Sequence, residues 1–86
     1  MPKPDKDTNN KNLISHNLIA LRKQHGLSQG DLASRLQLAG YNMDKNAITR
    51  IEANNRYVSD IELRALKEIF DITYEELLRP EQEEFV

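Results

Sequence analysis

Apolar residues recur with a helical period along most of the chain. Ile14, Leu18 and Leu21 are spaced i, i+4 and i+7, which predicts a first helix that starts near Asn12 and stops at Gly26. Four further apolar groups follow, and each is preceded by a residue type that commonly caps a helix N-terminus. These predicted N-caps are Ser28, Asp44, Ser59 and Thr73.

The caps and the apolar groups together predict the bounds of the later helices. The second helix covers about residues 29–38, the third about residues 45–53, the fourth begins after Ser59, and a short fifth ends before Pro80. No run of alternating Val, Ile and aromatic residues predicts a strand. The expected fold is therefore all-α, with a core drawn from the inner faces of the second, third and fourth helices: Leu32, Ala33, Leu36, Ala47, Ile48, Ile51, Leu63, Leu66, Ile69 and Phe70. The short fifth helix contains Leu77 and Leu78.

The two ends of the chain differ in composition from its middle. Residues 1–11 combine two prolines with Lys, Asp and Asn and predict a disordered arm, residues 12–79 form the helical domain, and residues 80–86 form an acidic tail. The chain has no cysteine, which excludes disulfides and thiolate metal sites. No stretch approaches the ~20 apolar residues that span a bilayer. We therefore expect a cytoplasmic protein with no membrane association.

Charge is distributed unevenly along the sequence. The whole chain has a net charge of -2, but the residues from Asp71 onward have a net charge of -5 and residues 1–70 a net charge of +3. The first part of the chain can therefore attract phosphate although the whole chain is acidic. The acidic end is either a solvated terminus or a surface that binds a protein partner.

The sequence offers few groups for catalysis. His16 and His25 are nine residues apart, which does not match the i, i+3 or i, i+4 spacing of metal-binding histidines on a helix. The glycines are too scattered to form a phosphate-binding loop, and no serine has the context of a nucleophile elbow. We expect no enzymatic activity, no cofactor and no metal.

The third predicted helix presents polar side chains opposite its apolar residues. Lys45, Asn46, Thr49 and Arg50 share this face. A helix of this kind fits the major groove of DNA, where Asn and Lys side chains match the edges of adenine and guanine. An ordinary solvated helix face has the same composition, so the spacing alone leaves both interpretations open.

Three stretches of the chain match one known pattern in the same order: LRKQHGLSQGDLASRL, AITRIEANNR and LRALKEIFDITYEELL. Together they resemble the Cro/cI-type helix-turn-helix family of bacterial and phage transcriptional regulators, over about residues 13–79. The resemblance implies a lambda-repressor-like domain of five helices, with the second and third as the helix-turn-helix. It also implies a transcriptional regulator that binds double-stranded DNA as a homodimer and acts as a repressor.

The resemblance assigns six residues to DNA contact: Gln29, Lys45, Asn46, Thr49, Arg50 and Arg56. Lys45, Asn46 and Thr49 would lie in the major groove. Arg50 and Arg56 would contact the flanking DNA backbone. Gln29 would contact phosphate or orient a base-reading side chain. For three of these residues a structural role is the alternative to DNA contact. In that interpretation Gln29 supports the start of its helix, Arg50 pairs with a carboxylate, and Arg56 covers the turn.

The sequence departs from the family pattern between the two helices of the motif. The fifteen steps from Ala33 to Ile48 exceed the usual spacing, and the extra residues lie within residues 37–42. Two roles of this connection stay open: packing on the domain through Tyr41 and Met43, and a DNA contact through Tyr41 or Asn42.

The C-terminal end is the predicted surface for protein partners. Dimerisation would use the fifth helix and the tail, through Leu77, Leu78, Phe85 and Val86. An alternative function is an antitoxin or adaptor, in which the same fold binds mainly another protein through the acidic end.

Overall fold

The structure, a computed structural model, describes residues 10–80. These residues form five α-helices and no strand, which confirms the predicted fold class. The helices are α1 (Ser15–Gln24), α2 (Gln29–Leu38), α3 (Lys45–Glu52), α4 (Asp60–Phe70) and α5 (Tyr74–Leu78). The motif helices α2 and α3 pack against each other, α1 packs against α3 and α5, and α4 packs against α2 and α5. Residues 1–9 of the predicted arm and residues 81–86 of the predicted tail lie outside the described residues.

Side-chain caps start four of the five helices, as the sequence predicts. Ser28, Ser59 and Thr73 each form a capping box with the residue three positions later. The Asp44 carboxylate accepts a hydrogen bond from the Ala47 N–H at 2.8 Å and so caps α3. Because a cap of this kind contributes about 1 kcal/mol, these four residues fix where their helices begin.

The predicted start of α1 near Asn12 is wrong, because the helix begins at Ser15. The Asn12 side chain accepts a hydrogen bond from the Ile14 N–H at 3.0 Å, a local bond that competes with helix formation. Its amide nitrogen donates to the carbonyl oxygens of Ile51 at 3.2 Å and Arg56 at 3.0 Å. Asn12 therefore binds the turn after α3 instead of extending α1.

Three asparagines attach the N-terminal segment to the end of α3. Asn54 has a left-handed backbone, with φ at 61°, and its side-chain oxygen accepts hydrogen bonds from the N–H groups of Lys11 at 2.7 Å and Asn12 at 2.9 Å. Its amide nitrogen donates to the side-chain oxygen of Asn10 at 3.2 Å. We call Asn10, Asn12 and Asn54 the asparagine latch.

The core is continuous and apolar throughout the described residues. Leu18, Leu32, Ile48 and Leu66 are fully buried, and no polar or charged residue among residues 10–80 is buried with them. Helices of five to eleven residues are marginal in isolation, so this packing is what stabilises them.

The structure divides the pair of leucines that the sequence places in one dimer surface. Leu77 is fully buried and belongs to the core, whereas Leu78 is 38% exposed. Assigning Leu77 to a dimer surface was therefore wrong, and Leu78 remains available. Phe85 and Val86 lie outside the described residues.

The connection between α2 and α3 consists of residues 39–44 and is not a tight turn. Gly40 has φ at 98°, a conformation that favours glycine. Met43 is 1% exposed within the core, and Tyr41 packs against the edge of the core. The structure thus confirms that the connection packs on the domain through these two residues.

Candidate nucleic-acid interface

The polar residues of α3 lie on the side of the helix that faces away from the core. Ala47, Ile48 and Ile51 are buried on the inner side. The opposite side exposes Lys45, Asn46, Thr49 and Arg50, which we call the α3 face. The arrangement matches the one predicted from the sequence.

Three side chains of the α3 face are not bonded to any residue in the range 10–80. Lys45, Asn46 and Arg50 are exposed, and their side chains form no hydrogen bond or ion pair with any residue of the described part of the chain. No carboxylate among residues 10–80 therefore pairs with Arg50. The donors of all three side chains are therefore available to a ligand or to water.

An ion pair holds the C-terminal end of α3 against α1. Arg22 donates from Nε to Glu52 Oε2 at 2.6 Å and from Nη2 to Glu52 Oε1 at 3.1 Å. The two side chains are only 13% and 7% exposed, so little water reaches the pair. The hydrogen bond to Glu52 raises the pKa of Arg22 above its usual value. A further bond from Nη1 to the Leu27 carbonyl at 2.9 Å joins the pair to the segment before α2.

Gln29 extends this pair to the α3 face. Its Nε2 donates to Glu52 Oε1 at 2.9 Å, and its Oε1 accepts from the Thr49 hydroxyl at 2.8 Å. The Thr49 hydroxyl also lies 3.0 Å from the Lys45 carbonyl oxygen, and the two acceptors share its single proton. We call Arg22, Gln29, Thr49 and Glu52 the anchor network. It links α1, α2 and α3 and fixes the angle at which α3 presents its face.

Arg56 forms a second internal ion pair just after α3. Its Nη1 and Nη2 donate to the two carboxylate oxygens of Glu62, both at 2.9 Å, and Nη1 also donates to the Tyr57 carbonyl oxygen at 3.1 Å. The bond from Arg56 lowers the pKa of Glu62 below the ordinary glutamate value. Arg56 therefore covers the turn. The Nε proton and one Nη2 proton of Arg56 form no hydrogen bond with the described residues.

The start of α3 borders a polar concave surface. Its lining residues are Asn42, Asp44, Asn46, Ala47, Arg50 and Arg56. Asp44 uses its carboxylate to cap α3, and Glu62 and Glu52 are paired with arginines, so the nearby acids are committed to internal bonds. Lys45 adds positive charge close to the positive end of the α3 dipole, and Arg50 adds positive charge in the last turn of the helix. The surface therefore suits a polyanion although the whole chain is acidic.

Comparison with known proteins identifies the family. The model of the Helix-turn-helix family matches residues 18–77, which is more than half of the chain. The chain therefore belongs to the Cro/cI-type helix-turn-helix family and is a DNA-binding regulator of that class. No curated protein and no solved structure matches the chain.

Two further findings concern other classes of site. Among residues 10–80, no group of His, Asp or Glu side chains is arranged to hold a metal ion. None of the helices in the described part of the chain is long and apolar enough to cross a membrane.

Sequence reasoning missed the central member of the anchor network. Glu52 lies thirty residues from Arg22 and twenty-three from Gln29, so no local pattern shows that the three side chains meet. The signal was present only in the resemblance, since Arg22, Gln29 and Glu52 all fall within the matching stretches.

Proposed function

We propose that the protein is a sequence-specific regulator that binds double-stranded DNA as a homodimer, with α3 in the major groove, and acts as a repressor. One observation carries this proposal. Lys45 and Asn46 open α3, are exposed and make no side-chain bond within the described residues, whereas Arg22, Gln29, Glu52 and Arg56 around them are bonded internally.

The first turn of α3 carries the base-reading side chains. In a docked helix-turn-helix, the N-terminal residues of the second helix reach the base edges. The Asn46 amide has one donor and one acceptor that match the N6 and N7 of adenine, and Lys45 donates to the O6 and N7 of guanine. Thr49 lies one turn later, where its hydroxyl is held by Gln29 and its methyl group is free to meet a thymine methyl.

The backbone contacts come from the residues that flank the α3 face. Arg50 is exposed and unpaired among the described residues, which suits a phosphate contact. Gln29 stands at the start of α2 and keeps one amide proton after its bond to Glu52, so it both orients Thr49 and donates to phosphate. Arg56 contributes its remaining N–H donors while Glu62 holds it in place.

Dimerisation follows from the size of a single interface. One module of this kind buries roughly 600–1,000 Å² on DNA, less than most specific complexes. Two copies on half-sites about one helical turn apart bring the area into the specific range. We place the contact between copies at the apolar groove that Leu13, Tyr57 and Leu78 line, where all three side chains are exposed.

Repression follows from occupancy of the site. A dimer that covers two adjacent turns of promoter DNA excludes polymerase from the same DNA. Regulation of the target would then depend on the concentration of the protein and on any partner of its ends.

The test is selection of bound duplexes from a random DNA pool, with the Lys45→Ala/Asn46→Ala variant in parallel. The proposal predicts a two-fold-symmetric motif that the variant fails to enrich, because the variant lacks both base-reading side chains. Equal enrichment by both proteins would show that α3 is not the reading helix. No enrichment by either would favour the alternative, a protein-binding antitoxin or adaptor.

A separate measurement tests the dimer surface. Leu78→Asp should shift the protein toward the monomer in sedimentation velocity, because it places a charge in the apolar groove. Leu38→Asp is the matched control, since Leu38 is 88% exposed on α2 and does not line that groove. Equal behaviour of the two variants would argue against the groove as the dimer contact.

A further inference from the structure

The long connection between α2 and α3 is anchored at two points. The Tyr41 hydroxyl donates to Glu68 Oε1 on α4 at 2.6 Å, and the Tyr41 N–H donates to the Leu36 carbonyl at 2.9 Å. The Met43 side chain is buried in the core, and its carbonyl oxygen accepts from Gln37 Nε2 at 3.3 Å. The residue between Tyr41 and Met43 is therefore held by neighbours that both pack on the domain.

Asn42 is that residue, and its side chain is available to a ligand. Asn42 is exposed and forms no side-chain hydrogen bond with any residue in the range 10–80. It lines the same concave surface as Asn46 and Arg50, although it belongs to the loop and not to α3. The loop thus adds an amide to the surface that we assign to DNA.

We propose that Asn42 is a further specificity-determining residue, which reads one base edge beside the base read by Asn46. The inference rests on the proposed function. An Asn side chain offers the donor and acceptor pair that distinguishes adenine in the major groove. Because Tyr41 and Met43 already order the loop, Asn42 loses little conformational entropy when DNA binds.

Tyr41 is less suited to DNA contact than Asn42. Its hydroxyl is committed to Glu68, and the bond to this carboxylate raises the pKa of Tyr41. Tyr41 is therefore a positioning residue in this proposal. The extra length of the connection supplies both the anchor and the amide that the anchor presents.

The experiment compares motifs selected from a random DNA pool by the wild type, Asn42→Ala and Asn46→Ala. Asn42→Ala should keep the two-fold-symmetric motif, lose the preference at one position of each half-site, and bind the wild-type site about 5- to 140-fold more weakly. The lost position should differ from the one lost in Asn46→Ala. The urea midpoint of Asn42→Ala should equal that of the wild type, since no bond within the described residues is removed.

Each other outcome would overturn the assignment. A uniform loss of affinity over all sequences would place Asn42 on phosphate, and an unchanged motif with unchanged affinity would place it off the DNA. The control is Gln24→Ala, which removes an exposed amide that does not line the concave surface; the same change of motif in this variant would mean that the effect is not specific to Asn42. If the wild type selects no motif, the proposed function fails as well, whereas a wild-type motif that Asn42→Ala shares overturns the inference alone.

Discussion

The two ends of α3 use their polar side chains in opposite ways. At the C-terminal end, Glu52 and the nearby Arg56 are bonded within the domain, and their partners Arg22 and Glu62 are largely shielded from water. At the N-terminal end, Lys45 and Asn46 form no such bond among the described residues. The C-terminal end therefore fixes the helix in the domain, and the N-terminal end is left to bind something else.

This difference also explains how an acidic chain can hold a basic surface. Acidic side chains beside the interface are engaged as caps or as partners of arginine: Asp44 caps α3, Glu52 binds Arg22, and Glu62 binds Arg56. Phosphate responds to the local charge that remains, so Lys45 and Arg50 matter more than the net charge of -2. The isoelectric point of this chain is consequently a poor guide to its partner.

A rise in salt concentration should weaken DNA binding, and this is the largest effect that we expect from the N-terminal end of α3. If a dimer engages roughly six to ten phosphates, its affinity for the selected DNA site should fall by ~10³ to 10⁵ between 50 and 200 mM salt. Fluorescence anisotropy with a labelled duplex measures this dependence. A DNA affinity that is independent of salt would contradict an interface built on the positive charges of Lys45 and Arg50.

At the C-terminal end of α3, the largest expected effect is the loss of stability that follows removal of one partner of the anchor network. Glu52→Ala leaves Arg22 shielded from water without its carboxylate and should lower the free energy of unfolding by about 2 to 3 kcal/mol, measured in urea. The matched control is Arg22→Met/Glu52→Leu, which removes both charges and should recover most of the loss. A Glu52→Ala protein as stable as the wild type would refute the structural role of the pair.

Asn46→Ala should separate binding from stability. The variant should lose about 1 to 3 kcal/mol of binding free energy on the selected site and relax one base position, because a bidentate base contact is removed. Its free energy of unfolding should stay within about 0.5 kcal/mol of the wild type, since Asn46 bonds to nothing in the described domain. A destabilised Asn46→Ala protein with unchanged DNA affinity would reverse our assignment of the two ends.

The Arg56–Glu62 pair should make the stability of the protein depend on pH. This is the smallest of the expected effects. Arg56 lowers the pKa of Glu62 in the folded protein, so the pair contributes fully above the ordinary glutamate pKa of 4.5 and its contribution is lost as the pH falls through the lower folded value. The wild type should therefore lose stability more steeply than Glu62→Gln below pH 4.5. Urea midpoints between about pH 3 and pH 6 test this, and parallel curves would count against the pair.

Local patterns predicted the parts of the fold that local bonds create. Ser59 and Thr73 cap their helices through residues three positions later, so the sequence alone placed the starts of α4 and α5. The same holds for Asp44 and the start of α3, and hence for the position of Lys45 and Asn46 on the exposed side.

Contacts between distant residues could not be predicted in this way. The start of α1 was misplaced because Asn12 is bonded to residues 39 and 44 positions away. Leu77 and Leu78 are adjacent on a five-residue helix, and only the packing of α5 on α1 and α4 decides that Leu77 faces inward. The role of Gln29 likewise depends on Glu52, which approaches only once α3 packs on α1 and α2.

The asparagine latch has a consequence for the order in which the domain folds. Its bonds join residues that are 42 to 44 positions apart, with three helices between them, whereas the capping boxes join residues three positions apart. Contacts that close long loops are entropically costly until the intervening chain is ordered, so we expect the latch to form last and to open first. Hydrogen exchange at the Lys11 and Asn12 amides would then report this earliest step of unfolding while the helices are still intact.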